Sequence, residues 1–243
     1  MTTATVPPAA SPSPSAVPTL AGLVNYVQPG QRLLLTGVWY ADFERLAEWR
    51  DAVGRRAIRL AYDHGKLEIE VVTHTHERFR KIVALLIESW ITETGGEYVP
   101  SGQLTHKRED LEYGFEPDEC YYIQNWNEVS GVREIDITKD PPPGLAVEAE
   151  VSRTLLDRLP IYAAFKVPEV WRYNGERLTV LLLQPDGSYQ ESAKSLALPT
   201  LPLPELPRFL EMATRVDYAT ISRQFRAWVR SLPPAPNTDS TNS

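Results

Sequence analysis

"LAVEAEVSRTLLDRLPIYAAFKVPEVW", residues 145–171, is the stretch on which the fold turns. It opens as an apolar run carrying Glu148 and Glu150 and passes at once into a helix-like segment. On a strand, successive side chains point to opposite faces. Ala146, Glu148 and Glu150 therefore share one face, and Leu145, Val147, Ala149 and Val151 share the other. Residues 159–165 and 167–171 are strongly apolar, which makes this strand and its helix central. Two carboxylates held side by side in a core repel each other and lose hydration. Something must compensate them, most simply a divalent cation.

The spacing alone is a weak signal. Glu68 and Glu70 repeat it within "RLAYDHGKLEIEVV" (59–72), which reads as a hairpin turning at Asp63-His64-Gly65, with its acid side toward solvent. A metal site also needs a further acid. Asp118 in "GFEPDECYYI" is the candidate, because Pro117 suits a strand start and Asp118 stands where the strand begins. A lone Pro-Asp is otherwise an acidic turn.

The rest of the chain supplies alternating helices and strands. "YADFERLAEW" (40–49) reads as a short helix. Residues 75–94 form a strongly amphipathic one, with Phe79, Ile82, Val83, Leu86, Trp90 and Ile91 on a stripe, Thr75 as N-cap and Gly95 as the stop. "EVWRYNGERLTVLLLQPDGSYQES" gives strands joined by turns at Asn174-Gly175 and Asp186-Gly187. A final helix spans 218–232, with Arg223, Arg226 and Arg230 on its solvated side. The pattern predicts an α/β or α+β domain around a mixed sheet.

Composition sets the limits. Residues 1–21 and 233–243 read as disordered tails rich in Pro, Ala, Ser and Thr, which leaves 22–232 as one folded domain. No run approaches the roughly 18 apolar residues of a membrane helix. The single cysteine, Cys120, fits a cytoplasmic location. The net charge of −7 argues against a general nucleic-acid coat but not against a nuclease with a local basic cleft.

Pro117-Asp118, a gap, then Glu148-x-Glu150 resembles the Pro-Asp…(Asp/Glu)-x-Lys nuclease signature. More fully, "EPDECYYIQN", "REID", "PPPGLAVEAEVS" and "LDRLPIYAAFKVPEVWRYNG" resemble the Uma-two family of restriction-endonuclease-like proteins, from about Tyr40 to Leu232. The resemblance implies a restriction-endonuclease-like core, a central mixed sheet flanked by helices, with the hairpins and helix at the C-terminal end as additions. It implies a Mg²⁺- or Mn²⁺-dependent endonuclease acting on nucleic acid, DNA foremost, and a homodimer would suit double-strand cutting. By matching positions, Asp118 and Glu148 become metal ligands, joined by the carbonyl of Ala149 and by Glu77 of the first long helix. Glu77 reads about equally well as a first-turn acid favoured by the helix dipole. His76 reads as a packed histidine, Lys166 as a solvated cation, and Tyr121, Tyr122 and Trp126 as core rather than base-stacking aromatics.

One position departs from the pattern. Glu150 stands where the superfamily carries Lys, so it could orient a water but supplies no positive charge. Arg158, where the family often carries Lys, could contact the phosphate as a fixed fork of donors. It cannot act as a base. With Asp157 as cap and Pro160 in the first turn, Arg158 would lie at a helix start near Glu148. A nuclease-like fold that no longer cuts and serves as a DNA- or partner-binding module is the rival reading. A carboxylate-pair glycosidase fits less well, since its acids face each other across the substrate.

Overall fold

The computed structural model describes residues 19–55, 57–102, 105–133, 135–149 and 154–233. Helix α1 (Leu20–Val24) leads into strand β1 (Arg32–Thr36), helix α2 (Tyr40–Ala52) and the hairpin β2 (Ile58–Asp63) and β3 (Lys66–Val71). The long helix α3 (His74–Glu93) follows, then β4 (Val99–Pro100), β5 (His106–Arg108), β6 (Tyr113–Phe115) and β7 (Glu119–Tyr122). A single turn of helix, α4 (Trp126–Val129), precedes β8 (Leu145–Ala149), α5 (Leu159–Ala164) and β9 (Glu169–Tyr173). Strands β10 (Leu178–Leu183) and β11 (Tyr189–Ser192) and helices α6 (Leu206–Glu211) and α7 (Tyr218–Ser231) complete it.

These strands form two sheets. The first is antiparallel, in the order β1-β3-β2-β6-β5. The second runs β11-β10-β9-β8-β7-β4 and is mixed, because β8 and β9 pair in parallel. Parallel neighbours need a crossover of a dozen or more residues, and the segment bearing α5 supplies it. The hairpin closes through His64 and Gly65, both at positive φ, as a two-residue turn between right-twisted strands requires. Helix α3 starts earlier than Thr75. Thr73 is its N-cap, and the Thr73 hydroxyl oxygen accepts from the His76 N–H at 3.2 Å.

Side-chain alternation sorts the interior into layers. Leu145, Val147 and Ala149 of β8 pack with α3, α6 and α7, while Ala146 faces a second cluster containing Ile161, Tyr162 and Phe165. In the first sheet, Ile58, Leu60, Tyr62, Leu67 and Ile69 pack under α2. Its other face carries Arg32, Arg59, Glu68 and Glu70, and the expectation of solvent there is wrong. Glu68 is 0% and Glu70 3% exposed. Alternation distinguishes two faces but does not say which meets water, and here the second sheet and its connections cover the acid face. On α7, Ile221, Phe225 and Val229 are buried, and Arg226 and Arg230 both engage Glu93 of α3.

Candidate active site

The two sheets meet around Asp118 and Glu148. Antiparallel pairing of β7 with β8 brings Asp118 alongside Glu148, since the Asp118 N–H donates to the Val147 carbonyl at 3.1 Å. The Ala149 N–H donates in turn to Asp118 Oδ2 at 2.7 Å. Glu148, 2% exposed, accepts from Arg158 Nη1 at 3.0 Å and from the Tyr162 hydroxyl. Arg158 sits at the N-cap of α5 with Pro160 in the first turn, and Asp157 accepts from the Leu159 N–H at 3.1 Å. Tyr162, one turn on, points the same way.

Arg158 also reaches the first sheet. Its Nη2 lies 2.8 Å from Glu68 Oε1 and 3.5 Å from Glu70 Oε2. Arg32 holds the same two acids, at 3.0 Å to Glu68 and 2.7 Å to Glu70. Glu68 Oε2 accepts from the N–H groups of Leu155 and Leu156, at 2.6 and 3.1 Å. On the α3 side, His76 Nε2 is 3.1 Å from Asp118 Oδ2 and Arg59 Nε is 3.6 Å from Asp118 Oδ1. Glu77 joins through Arg59 at 3.4 Å, His76 at 3.7 Å and Arg80 at 2.8 Å, and Arg80 continues to Glu119.

The electrostatics follow from this mixture. Burial works against the imidazolium of His76, but its contact with Asp118 at 3.1 Å and the Glu77 carboxylate 3.7 Å away outweigh it and raise its pKa to about 9. The nearby His76 ring at 3.7 Å, helped by Arg80, holds Glu77 down at about 2 despite partial burial. Burial opposes ionisation of Asp118, yet His76, Arg59 and the Ala149 N–H keep it below the usual aspartate range. Glu68 is likewise lowered, with Arg158 and Arg32 overcoming burial, whereas burial prevails at Glu70 and raises it. Arg158 stays charged, since Glu148, Glu68 and Glu70 outweigh the loss of hydration.

Asp118, Glu148 and Arg158 are thus brought together, with Glu77 at the rim. Glu150 lies outside the described residues. Ala149 contributes its N–H to Asp118. His76 is a partner of Asp118 rather than a packed histidine. Glu68, Glu70, Arg32, Arg59 and Tyr162 were not singled out as site residues. The signal lay in strand parity, since Arg32, Arg59, Glu68 and Glu70 all sit on one face of the first sheet. Tyr121 and Tyr122 are fully buried, and Lys166 is exposed.

Among the described residues no group of three or more His, Cys, Asp and Glu side chains is arranged to hold a metal. The donors themselves suit a hard cation. Mg²⁺ keeps several waters and is commonly held by one or two carboxylates, and Asp118 and Glu148 supply two on adjacent strands. Beside them opens a cleft of about 570 Å³ lined by Arg59, Arg80, Lys81, Gly102 and Glu119 among others. Arg59 belongs both to the cleft wall and to the Asp118 contact.

No helix among the described residues is long and apolar enough to cross a membrane. No curated protein matches the chain in sequence. Residues 40–215 match the family model Uma2, described as "Putative restriction endonuclease". That span covers every strand from β2 to β11 and all the acids and cations just described except Arg32. The chain belongs to the Uma2 family of nuclease-like proteins.

Proposed function

We propose that the protein is a metal-dependent endonuclease that hydrolyses phosphodiester bonds of nucleic acid, DNA foremost. The observation that carries this reading is the cross-strand pair of buried acids, Asp118 and Glu148, each held by its own donors. Both would hold Mg²⁺ or Mn²⁺, with Glu77 at the rim. The bound cation would polarise the phosphate and lower the pKa of a coordinated water. The chain's own residues do the rest. The Ala149 N–H and His76 orient Asp118, and Tyr162 orients Glu148. Arg158 remains protonated, so it steadies negative charge and accepts no proton. Glu150 is assigned the orientation of the attacking water. The cleft bearing Arg59, Arg80 and Lys81 is the approach for the phosphate backbone.

The test is plasmid nicking with Mg²⁺ or Mn²⁺. Wild type should nick, EDTA should abolish it, and Asp118→Asn and Glu148→Gln should each reduce it at least 100-fold with unchanged circular dichroism. Nicking that persists in both variants would reject the assignment.

A second reading has one observation in its favour. The acids are already met by Arg32, Arg59, Arg158 and protonated His76, so the fold stands without a metal and could serve as a binding module. Calorimetry separates the two, since the module takes up no Mn²⁺ and is indifferent to Glu148→Gln.

A further inference from the structure

Arg158 divides its guanidinium between the sheets. Nη1 serves Glu148 of the second sheet, and Nη2 serves Glu68 and Glu70 of the first. The second berth is built independently of Arg158, because Arg32 clamps both acids and two backbone N–H groups fix Glu68. The loop making those N–H bonds, at Leu155 and Leu156, is the one that carries Arg158. Releasing Nη1 therefore leaves the Nη2 contacts intact.

We propose that Arg158 is a resident cation of the site: it competes with a divalent metal for Glu148 and, on yielding, is retained by Glu68 and Glu70. This rests on the reading of Asp118 and Glu148 as metal-holding acids. A guanidinium at 3.0 Å from Glu148 Oε2 repels a metal ion arriving at the same carboxylate, so the two cations compete for it. Metal binding is then an exchange, and its affinity depends on how firmly Arg158 holds Glu148. Glu68 and Glu70 act as positioning residues. They touch no metal and set affinity through Arg158.

The test is Mn²⁺ titration calorimetry on the full chain, which needs no turnover. Arg158→Gln removes the competitor and should tighten Mn²⁺ binding tenfold or more. Glu68→Gln weakens the alternative berth, throws Arg158 back on Glu148, and should loosen binding about fivefold. In the Arg158→Gln background the Glu68→Gln effect should shrink below twofold. A purely coulombic loss would be the same in both backgrounds, so an additive cycle overturns the proposal, as does unchanged or weaker binding in Arg158→Gln. Should Arg158→Gln fail to fold, Arg158→Lys takes its place, because one ammonium lacks the fork that spans both sheets. A further readout uses wild type alone. The arginine Nε–H resonance that disappears in Arg158→Lys should shift during Mg²⁺ titration, and an unmoved signal overturns the exchange. Plasmid nicking together with an additive cycle rejects this inference and leaves the nuclease reading standing. Absence of Mn²⁺ binding in wild type and variants alike rejects both.

Discussion

Truncating Glu68 tests the idea that a hairpin acid is part of the interior. The side chain is 0% exposed and accepts four hydrogen bonds. They come from Arg158 Nη2 at 2.8 Å, Arg32 Nη1 at 3.0 Å, and the N–H groups of Leu155 and Leu156 at 2.6 and 3.1 Å. Glu68→Ala strands both N–H groups, each worth about 1–3 kcal/mol when left unpaired in the interior. It also takes one carboxylate from two buried arginines, and breaking a buried ion pair from one side costs about 3–5 kcal/mol. The arginines keep other partners, Glu70 at 2.7 Å for Arg32 and Glu148 at 3.0 Å for Arg158. These contributions overlap, so the expected loss is about 4 kcal/mol, within the range for one-sided disruption. Urea unfolding in EDTA, followed by tryptophan fluorescence, measures it. The exposed Glu48 of α2 is the control, and Glu48→Ala should stay within about 0.5 kcal/mol of wild type. If Glu68→Ala also stays within that band, the acid face of the first sheet meets water after all, and the two-sheet interior described above is wrong.

Three further outcomes are expected. His76 titrates near 9 when folded and near 6.5 when unfolded. Its stabilisation is therefore complete below about pH 6.5 and lost as pH rises through about 9, a decline of at most about 3–4 kcal/mol in urea titrations in EDTA, and His76→Gln should flatten it. Gly114→Ala would place a methyl 2.3 Å from Cζ of the fully buried Phe43. Overpacking of that kind costs about 1–3 kcal/mol, and a melting temperature equal to wild type would show that Phe43 has room. The Cys120 thiol is fully buried, and burial pushes its pKa up to about 12. It should resist thiol reagents at pH 8 and react fully in urea, and rapid labelling of the native chain would refute this.

Local features were legible because their causes are local. The hairpin turn follows from Gly65 beside His64, and the strand character of 145–149 follows from alternation that the core layers reproduce. The start of α3 was misplaced by two residues because Thr73 and Thr75 are both good caps, and only the Thr73 contact with the His76 N–H decides between them. The partners of the acids were not legible in the same way. Arg158 and Glu68 are 90 residues apart, and no periodicity links them. Asp118 and Glu148 came together in the sequence through family resemblance rather than spacing. The burial of Glu68 and Glu70 depends on where the second sheet lies, which a pattern of two faces does not contain.

Arginine at position 158, where the family resemblance implies Lys, has a consequence beyond its inability to act as a base. A buried lysine can shed its proton and so release a neighbouring carboxylate, whereas a guanidinium among three carboxylates stays charged at any pH the fold survives. The Arg158–Glu148 contact cannot therefore be opened by raising the pH. It opens only if another cation takes the carboxylate or if Glu148 itself takes up a proton. Protonation is opposed by the same guanidinium at 3.0 Å, which leaves exchange with a cation. The pH response of the site then falls to His76, whose charge helps hold Asp118. Loss of that proton at alkaline pH removes a positive charge from beside one acid while Arg158 still guards the other. Asp118 then keeps Arg59 at 3.6 Å and the Ala149 N–H at 2.7 Å, while Glu148 remains governed by the competition with Arg158.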